Sequence, residues 1–193
     1  MCIRDRSSIP QKVPDLFEIP VTGGSVEDQI TYVKGLLGKQ VTINDVFNPG
    51  EGIDIIAVTK GKGFQGPVKR WGIRILSHKS RKQKRAVASI GGWVPRGVFP
   101  QVPRAGQMGF HNRTEFNKRI ILMGNDNERI NPICGFKNYG FVDGDYLLLK
   151  GSVSGPAKRL IKLRKSVRNT DYPEEAPQVT HLHTEWQKGG ANQ

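Results

Sequence analysis

The stretch Ile53-Asp-Ile-Ile-Ala-Val-Thr-Lys-Gly-Lys-Gly-Phe-Gln-Gly66 divides this chain into two kinds of sequence. Its first half is rich in Ile and Val, which predicts a β-strand over residues 53–59. Its second half alternates glycine with lysine and opens a region, residues 60–109, that has no sustained helical or alternating apolar period. The stretch therefore marks where a globular sheet gives way to an extension without a core of its own.

The basic residues are concentrated in one contiguous third of the chain. The 193 residues include 30 Lys or Arg and 17 Asp or Glu, which gives a net charge of +13. Residues 58–119 hold 15 of these bases and a single acid, Glu115, whereas the rest of the chain carries 15 bases and 16 acids. A charge excess so strongly localised indicates a polyanionic partner.

The flanking segments predict a mainly β domain with one helix. Ser25 and Asp28 form a capping pattern at the start of a helix that ends near Leu37. Strands are predicted at residues 40–46, 53–59, 119–123 and 146–150, with a hairpin turn at Asp143-Gly144 between Phe141 and Tyr146. The resulting division has the N-terminal part of the globular domain over residues 1–57, a glycine-rich basic extension over 58–119, C-terminal strands with a basic cluster over 120–168 and a tail over 169–193.

The segment Gly61-Lys-Gly-Phe-Gln-Gly66 matches the dinucleotide-binding pattern letter for letter. That pattern requires a following helix and an acid about 20 residues further on, but Pro67 and a basic run follow, and no acid occurs until Glu115. We favour close approach of the glycine backbone to RNA phosphates, neutralised by neighbouring lysines. A mobile surface loop is the alternative.

The run His78-Lys-Ser-Arg-Lys-Gln-Lys-Arg85 repels itself and is typical of segments that stay disordered without a polyanion; a nuclear import signal is the competing interpretation. Aromatic rings interleaved with arginines follow it, an arrangement suited to stacking on unpaired bases, and burial in a small core is the alternative for any one ring. Trp93 stands among Gly91, Gly92, Pro95 and Gly97, and this setting predicts an exposed ring rather than a core residue.

Other candidate sites are weak. Cys134 is predicted to be a buried, reduced thiol, and Cys2 a second reduced thiol. His181 and His183 lack a third metal ligand, so they are interpreted as a solvated pair. Residues 1–6 do not resemble a secretory signal, and no apolar run is long enough for a membrane span, which predicts a cytoplasmic protein.

Several ordered blocks resemble the archaeal and eukaryotic type of ribosomal large-subunit protein three. They are residues 53–66, Lys69-Arg-Trp-Gly72, Ser89-Ile-Gly-Gly-Trp93, Arg104-Ala-Gly-Gln107 and Gly109-Phe-His-Asn-Arg-Thr114. The resemblance runs from about Val41 to Arg168. It implies a surface β-barrel with an extension that enters the rRNA toward the peptidyl transferase centre, with Trp93 at the tip.

The chain departs from that family at two places. Val94-Pro95 stands where eukaryotic members usually have His-Pro, so a contact made by that histidine is not carried over. Residues 1–6 look unlike the family and are interpreted as the artificial start of a fragment, which leaves the expected barrel incomplete and with unpaired edges.

The resulting prediction is a non-enzymatic constituent of the large ribosomal subunit, an incomplete β-barrel with one helix and a long basic RNA-embedded extension. Its partners are large-subunit rRNA and neighbouring ribosomal proteins, with no metal, cofactor, membrane or small-molecule substrate. The alternatives are an RNA-acting enzyme and a nucleic-acid-binding module outside the ribosome. The residues expected to contact RNA are Lys60, Lys62, Lys69, Arg70, Trp71, Lys79, Arg81, Lys82, Lys84, Arg85, Trp93, Arg96, Arg104, His111, Arg113, Lys158 and Arg159.

Overall fold

A computed structural model describes residues 13–168, 172–173 and 175–182. The chain divides into two compact units. The first, called the sheet unit, comprises residues up to 56, residues 114–153 and residues from 157 onward. The second, called the basic unit, comprises residues 57–113 and 154–156. The predictions for Met1 to Arg6, Cys2 and His183 fall outside the described residues.

Strands dominate the regular structure of the described residues. They are β1 (Gly52–Val58), β2 (Phe64–Gln65), β3 (Gly106–Gln107), β4 (Asn112–Gly124), β5 (Tyr146–Leu149) and β6 (Ile161–Lys165). Four of them form one sheet in the order β5-β4-β1-β6, and β2 pairs with β3. The β4–β5 pairing is antiparallel, with Ile120 opposite Leu149 and Gly124 opposite Tyr146. The fold is therefore mainly sheet with few helices.

The apolar core lies on one face of this sheet. Side chains alternate between the faces of a strand, so Ile53 and Ile55 of β1 point the same way. They are buried together with Phe47 and Ile120, and they are surrounded by the partly buried Ile43, Met123, Leu147, Leu149, Val153 and Leu163. This cluster is small, because the glycine-rich basic residues contribute none of its members.

Asp54, between the two core isoleucines, is a fully buried carboxylate. Its Oδ1 accepts a hydrogen bond from the Asn117 backbone N–H at 3.1 Å, and its Oδ2 accepts from Val167 N–H at 3.3 Å and from Arg164 Nε at 3.2 Å. Burial acts to raise the pKa of Asp54, but the two backbone donors and the Arg164 guanidinium together lower that pKa below its ordinary value. Asp54 therefore joins β1, β4 and the end of β6 through one charged group.

Arg119 in β4 holds the described part of the tail against the sheet unit. Its Nη2 donates to the carbonyls of Pro173 at 3.2 Å and Glu175 at 2.8 Å, and its Nε donates to the Gly50 carbonyl at 3.2 Å. Its guanidinium also lies 5.4 Å from the centre of the Tyr172 ring. Arg119 is one of the 15 bases of residues 58–119, but its donors bind carbonyl groups of the protein itself.

The predicted helix is confirmed as α1 (Val26–Leu36). The Ser25 hydroxyl accepts from the Asp28 backbone N–H, and the Asp28 carboxylate accepts from both the hydroxyl and the backbone N–H of Ser25. The hydrogen bond from the Ser25 hydroxyl lowers the pKa of Asp28 most, and the bond from the Ser25 backbone N–H lowers it further. Ile30 and Val33, which lie on one face of this helix, are exposed. Two shorter helices, α2 (Pro67–Trp71) and α3 (Asn127–Ile130), were not predicted.

The predicted strands at 53–59, 119–123 and 146–150 are confirmed as β1, part of β4 and β5. The strand predicted at 40–46 is wrong, because Ile43–Asp45 forms a 3-10 turn. There the Asp45 carboxylate accepts hydrogen bonds from the Thr42 N–H at 2.7 Å and the Thr42 hydroxyl at 2.8 Å, and this local cap satisfies groups that a strand would pair with a neighbour.

Two further expectations require correction. Asp143-Gly144 does not join two strands, because Phe141 lies outside any strand and β5 pairs with β4 instead. Cys134 is exposed rather than buried. The prediction of a mainly β fold is confirmed. Within the described residues the four-stranded sheet is open, with β5 and β6 at its edges, and no closed barrel is found, so the incomplete barrel stays a prediction. Strand β6, which was not predicted, lies inside the basic cluster of residues 158–168, where lysine and arginine obscure the strand pattern.

Candidate nucleic-acid interface

A two-stranded stem forms the base of the basic unit. Residues 59–65 run beside residues 106–111, and β2 and β3 lie within them in antiparallel register. The Lys62 N–H donates to the Met108 carbonyl at 2.9 Å, and the Met108 N–H donates to the Gly63 carbonyl at 2.9 Å. The stem brings together the two ends of a 40-residue segment, residues 66–105, whose side chains are mostly exposed.

Gly109 is required by the geometry of the stem. Its φ of +71° is a left-handed conformation that L side chains rarely adopt, and a Cβ at this position would collide with the Lys60 carbonyl oxygen. The two backbones can therefore approach closely only because the residue is glycine. Lys60 and Lys62 themselves are exposed on the first strand of the stem.

The side chains of Arg70 and Trp71 form a clamp onto the returning strand of the stem. Arg70 donates from Nε to the Gln107 carbonyl at 3.1 Å and from Nη1 to the Arg104 carbonyl at 2.8 Å. Trp71 Nε1 donates to the same Arg104 carbonyl at 3.0 Å. A Cβ on Gly106 would lie 2.9 Å from Arg70 Nη1, so glycine leaves room for the guanidinium. These two side chains, predicted to contact RNA, thus have an internal structural role.

A short helix, α2, follows the glycine motif, although Pro67 argued against a helix there. Gly66 is the residue before the helix and Pro67 occupies its first turn, so the proline begins a helix rather than preventing one. The helix is only five residues long and Gly72 ends it in the left-handed conformation at φ +68°. The absence of any acid between Asp54 and Glu115 still argues against a ribose-binding partner.

The basic run at residues 78–85 forms a compact turn. A 3-10 segment, Arg81–Gln83, lies inside it, and the Leu76 N–H donates to the Lys84 carbonyl at 3.0 Å. The structure thus gives a definite backbone to a run for which like-charge repulsion predicted disorder. The basic side chains of this turn are all exposed, namely Lys79, Arg81, Lys82, Lys84 and Arg85.

Trp93 lies on an exposed turn, as its glycine and proline neighbours predicted. Its side chain is 82% exposed, and residues 88–101 are exposed without exception. The Arg96 guanidinium lies 5.9 Å from the centre of the Trp93 ring, within the range of a cation–π contact. The turn therefore presents a large ring and a guanidinium together to the outside of the protein.

The cationic charge of the basic unit is not neutralised within the protein. Thirteen Lys or Arg lie from Lys60 to Arg113, and in the described part of the chain none of them is within ion-pair distance of a carboxylate. Ion pairs of the described sheet unit include Lys118–Glu115, Arg164–Asp54 and Lys165–Glu51. So many like charges without counterions favour contact with a polyanion.

The remaining predicted residues are spread over both units. His111 and Arg113 are exposed where the stem continues into β4, and Arg113 Nη1 donates to the Asn112 carbonyl at 3.1 Å. Lys158 is exposed and Arg159 half-buried ahead of β6. The structure also shows a contact that the sequence gave no signal for, in which the Arg168 guanidinium lies 4.0 Å from the centre of the Phe116 ring. These two residues are far apart in sequence and meet only through the sheet.

Among the described residues no three His, Cys, Asp or Glu side chains converge as a metal site would require. Each helix in the described part of the chain is too short or too polar to cross a bilayer.

The family model described as Ribosomal protein L3 matches residues 1–188. The chain belongs to this family. It is 48% identical over 185 residues to the large ribosomal subunit protein uL3 of Methanococcus aeolicus, an alignment that covers 95% of this chain and 56% of the relative. It is 50% identical over 186 residues to the protein of the same name from Methanothrix thermoacetophila, covering 95% of this chain and 56% of that relative. The chain thus spans little more than half the length of these curated relatives.

Proposed function

We propose that this chain acts as a structural constituent of the large ribosomal subunit in the cytoplasm and binds large-subunit rRNA through the basic unit. The observation that carries the proposal is the set of thirteen Lys and Arg from Lys60 to Arg113, none of which meets a carboxylate in the described part of the chain. Membership of the ribosomal protein L3 family supports it. In this role the protein supports subunit assembly and translation, and neighbouring ribosomal proteins are its further partners.

The basic unit fits the role of an RNA-embedded extension. The stem and the Arg70–Trp71 clamp hold the ends of the segment together by hydrogen bonds within the chain. The exposed Lys and Arg beyond them remain available for phosphates. Glycines at the stem permit close backbone approach. An extension held in this way would carry Trp93 toward the peptidyl transferase centre, while the open sheet forms part of a barrel on the subunit surface.

An enzymatic role has little support in the same residues. General acid–base catalysis on RNA needs at least one group that can exchange a proton near neutral pH. Such a group must also be held in place beside the reacting atoms, and residues 55–114 contain no carboxylate that could orient their two exposed histidines, His78 and His111. The arrangement therefore favours neutralising and shaping RNA over cleaving or modifying it.

The test is sedimentation of the tagged full chain expressed in Methanococcus maripaludis, an organism with a relative 49% identical to it. We expect the chain to migrate with large subunits and not with small subunits. A variant with Gln at Lys79, Arg81, Lys82, Lys84 and Arg85 should be depleted from that fraction. The control places Gln at five exposed bases outside the basic unit, namely Lys34, Lys39, Arg129, Lys137 and Lys150.

Migration of the unaltered chain away from large subunits would overturn the ribosomal proposal. RNA binding without subunit association would favour a nucleic-acid-binding module outside the ribosome. Equal depletion of the two five-residue variants would mean that net charge, rather than the position of the charges, determines association.

A further inference from the structure

A second cationic feature lies in the sheet unit, outside the extension. The Phe116 ring in β4 has the Arg168 guanidinium 4.0 Å from its centre and the Arg164 guanidinium 5.9 Å from it. Both distances are in the cation–π range. Two positive groups thus share one aromatic ring, an arrangement that concentrates charge at the surface of the sheet.

The two arginines differ in how their charge is balanced. Arg164 donates from Nε to the buried Asp54 carboxylate at 3.2 Å, so its charge is neutralised within the protein. Arg168 is exposed and has no carboxylate within ion-pair distance among the described residues. A guanidinium that stacks on a ring through its face keeps its N–H donors at its edge, directed away from the ring. Arg168 therefore presents a donor edge that no carboxylate of the described residues neutralises.

The backbone around Arg168 is held in place by the sheet. The Ser166 N–H donates to the Gly52 carbonyl at 3.1 Å, and the Val167 N–H donates to Asp54 at 3.3 Å. The Ser166 hydroxyl lies 2.7 Å from Asn117 Oδ1 and 2.9 Å from the Arg168 carbonyl, and donates its single proton to one of them. Arg168 is consequently positioned before any ligand arrives, which lowers the entropy cost of binding.

The sequence that precedes Arg168 favours an anion at this position. Residues 151–168 contain six Lys or Arg and no Asp or Glu. An arginine edge binds a phosphate through two parallel hydrogen bonds. Phosphates of a nucleic-acid backbone offer this geometry repeatedly, and the chain already presents a second, larger set of cations in the basic unit.

We propose that Arg168, oriented by its stacking on Phe116, is a phosphodiester-binding residue of the sheet unit and anchors RNA independently of the basic unit. This inference rests on the proposed function, because it takes RNA as the partner. It assigns a contact to residues that the charge pattern of the extension does not include.

The experiment measures binding of the full chain to large-subunit rRNA over a salt series. Loss of one phosphate contact should reduce the slope of log K against log salt by about 0.7–0.9. The affinity gap between the unaltered chain and Arg168→Ala should therefore shrink by about threefold between 50 and 200 mM salt. Phe116→Leu should weaken binding with the slope nearly unchanged, because the charge remains but loses its orientation.

The matched control is Arg129→Ala, which removes an exposed arginine from α3 in a segment rich in Asp and Glu. It should bind as the unaltered chain does. Thermal unfolding of each variant checks that the fold is intact, and Arg168→Lys, which keeps the charge without the planar edge, should bind with intermediate affinity.

Equal binding by Arg168→Ala and Arg129→Ala would overturn this inference and leave the proposed function intact. If the unaltered chain bound no rRNA, both proposals would be overturned. Binding of inorganic phosphate by the unaltered chain but not by Arg168→Ala, together with equal rRNA affinity of the two proteins, would assign the residue to free phosphate and overturn the RNA assignment.

Discussion

At the scale of single residues, Asp54 shows how one buried charge connects distant parts of the chain. Its carboxylate accepts from Asn117, Val167 and Arg164, which lie in β4, after β6 and in β6 respectively. Three donors compensate the cost of burial and keep the group ionised. The strand pattern around it, Ile-Asp-Ile, gives no indication that the central residue is buried as fully as its neighbours.

The lowered pKa of Asp54 predicts a loss of stability in acid. In the unfolded chain the carboxyl binds a proton near its ordinary pKa of 3.8, whereas the folded protein binds it only at lower pH. The stabilising contribution is therefore fully present above this value and is lost as the pH falls below it, through the folded pKa. Urea unfolding at a series of pH values should show this loss.

The variant Asp54→Asn should remove that part of the acid dependence. At neutral pH it should also lower the free energy of unfolding by about 1–3 kcal/mol, since an amide nitrogen would face the Arg164 and Val167 donors. The control Asp143→Asn alters an exposed carboxylate. Equal acid dependence in the Asp54→Asn variant and the unaltered chain would contradict this account.

The exposure of Trp93 predicts a change in RNA binding without a change in stability. Trp93→Ala should alter the free energy of unfolding by no more than about 0.5 kcal/mol, because the ring has little contact with the protein. If the ring stacks on a base, RNA affinity should fall by about 1–3 kcal/mol. Thermal unfolding and rRNA binding of the same variant measure the two effects separately.

Trp71→Ala is the comparison for this prediction, since the Trp71 indole N–H donates to the Arg104 carbonyl. Its loss should weaken the clamp and lower stability. A drop of about 3–5 kcal/mol on Trp93→Ala, the usual cost of emptying a core site, would instead show that Trp93 packs inside the protein.

At the scale of elements, the paired strands of the stem hold together the two ends of the segment 66–105 in the basic unit. Its hydrogen bonds lie at the surface and its core is minimal, so backbone fit contributes more than apolar burial. The clamp adds bonds from Arg70 in α2 to the carbonyl of Arg104, just before the returning strand, and to that of Gln107 within it. A basic side chain in the proposed RNA-binding segment can thus stabilise the protein fold.

Gly109→Ala should disrupt the stem. The new Cβ would collide with the Lys60 carbonyl oxygen, and the left-handed backbone adds about 1–2 kcal/mol of strain. Amide hydrogen exchange should show faster exchange at Lys62, Met108 and Phe110, whose N–H groups bridge the stem. Gly63→Ala is the matched control, because its φ is +67° but its Cβ would have open space.

Gly63→Ala should therefore show only the backbone strain. Equal acceleration of exchange in the two variants would mean that the close approach of Gly109 to Lys60 has no role in the stem, and that the left-handed conformation alone determines its stability.

At the scale of the whole molecule, the uneven distribution of charge predicts steep salt dependence of RNA binding. Each phosphate neutralised by a lysine or arginine contributes a log–log slope of about −0.7 to −0.9. With 6–10 phosphate contacts the affinity for large-subunit rRNA should fall by roughly 10³ to 10⁵ between 50 and 200 mM salt. Filter binding over a salt series measures the slope, and an affinity that is unchanged across this range would refute the proposed electrostatic interface.

The sequence by itself determined the location of the charge, the family and the local elements with strong signals. Helix α1 follows from the cap formed by Ser25 and Asp28, and β1 from its run of Ile and Val, because these signals lie within a few residues of each other. The exposure of Trp93 followed from its glycine and proline neighbours for the same reason. Local chemistry is enough to predict features of this kind.

Only the tertiary structure decided which basic residues remain free and which are used inside the protein. Arg70, Arg119 and Arg164 look like their neighbours in the sequence, yet each donates to a partner at least 34 residues away. The stacking of Arg168 on Phe116 and the need for glycine at position 109 likewise depend on strands that meet through folding. A charge pattern records how many cations a segment carries, but the acceptor that each one reaches is fixed by long-range pairing.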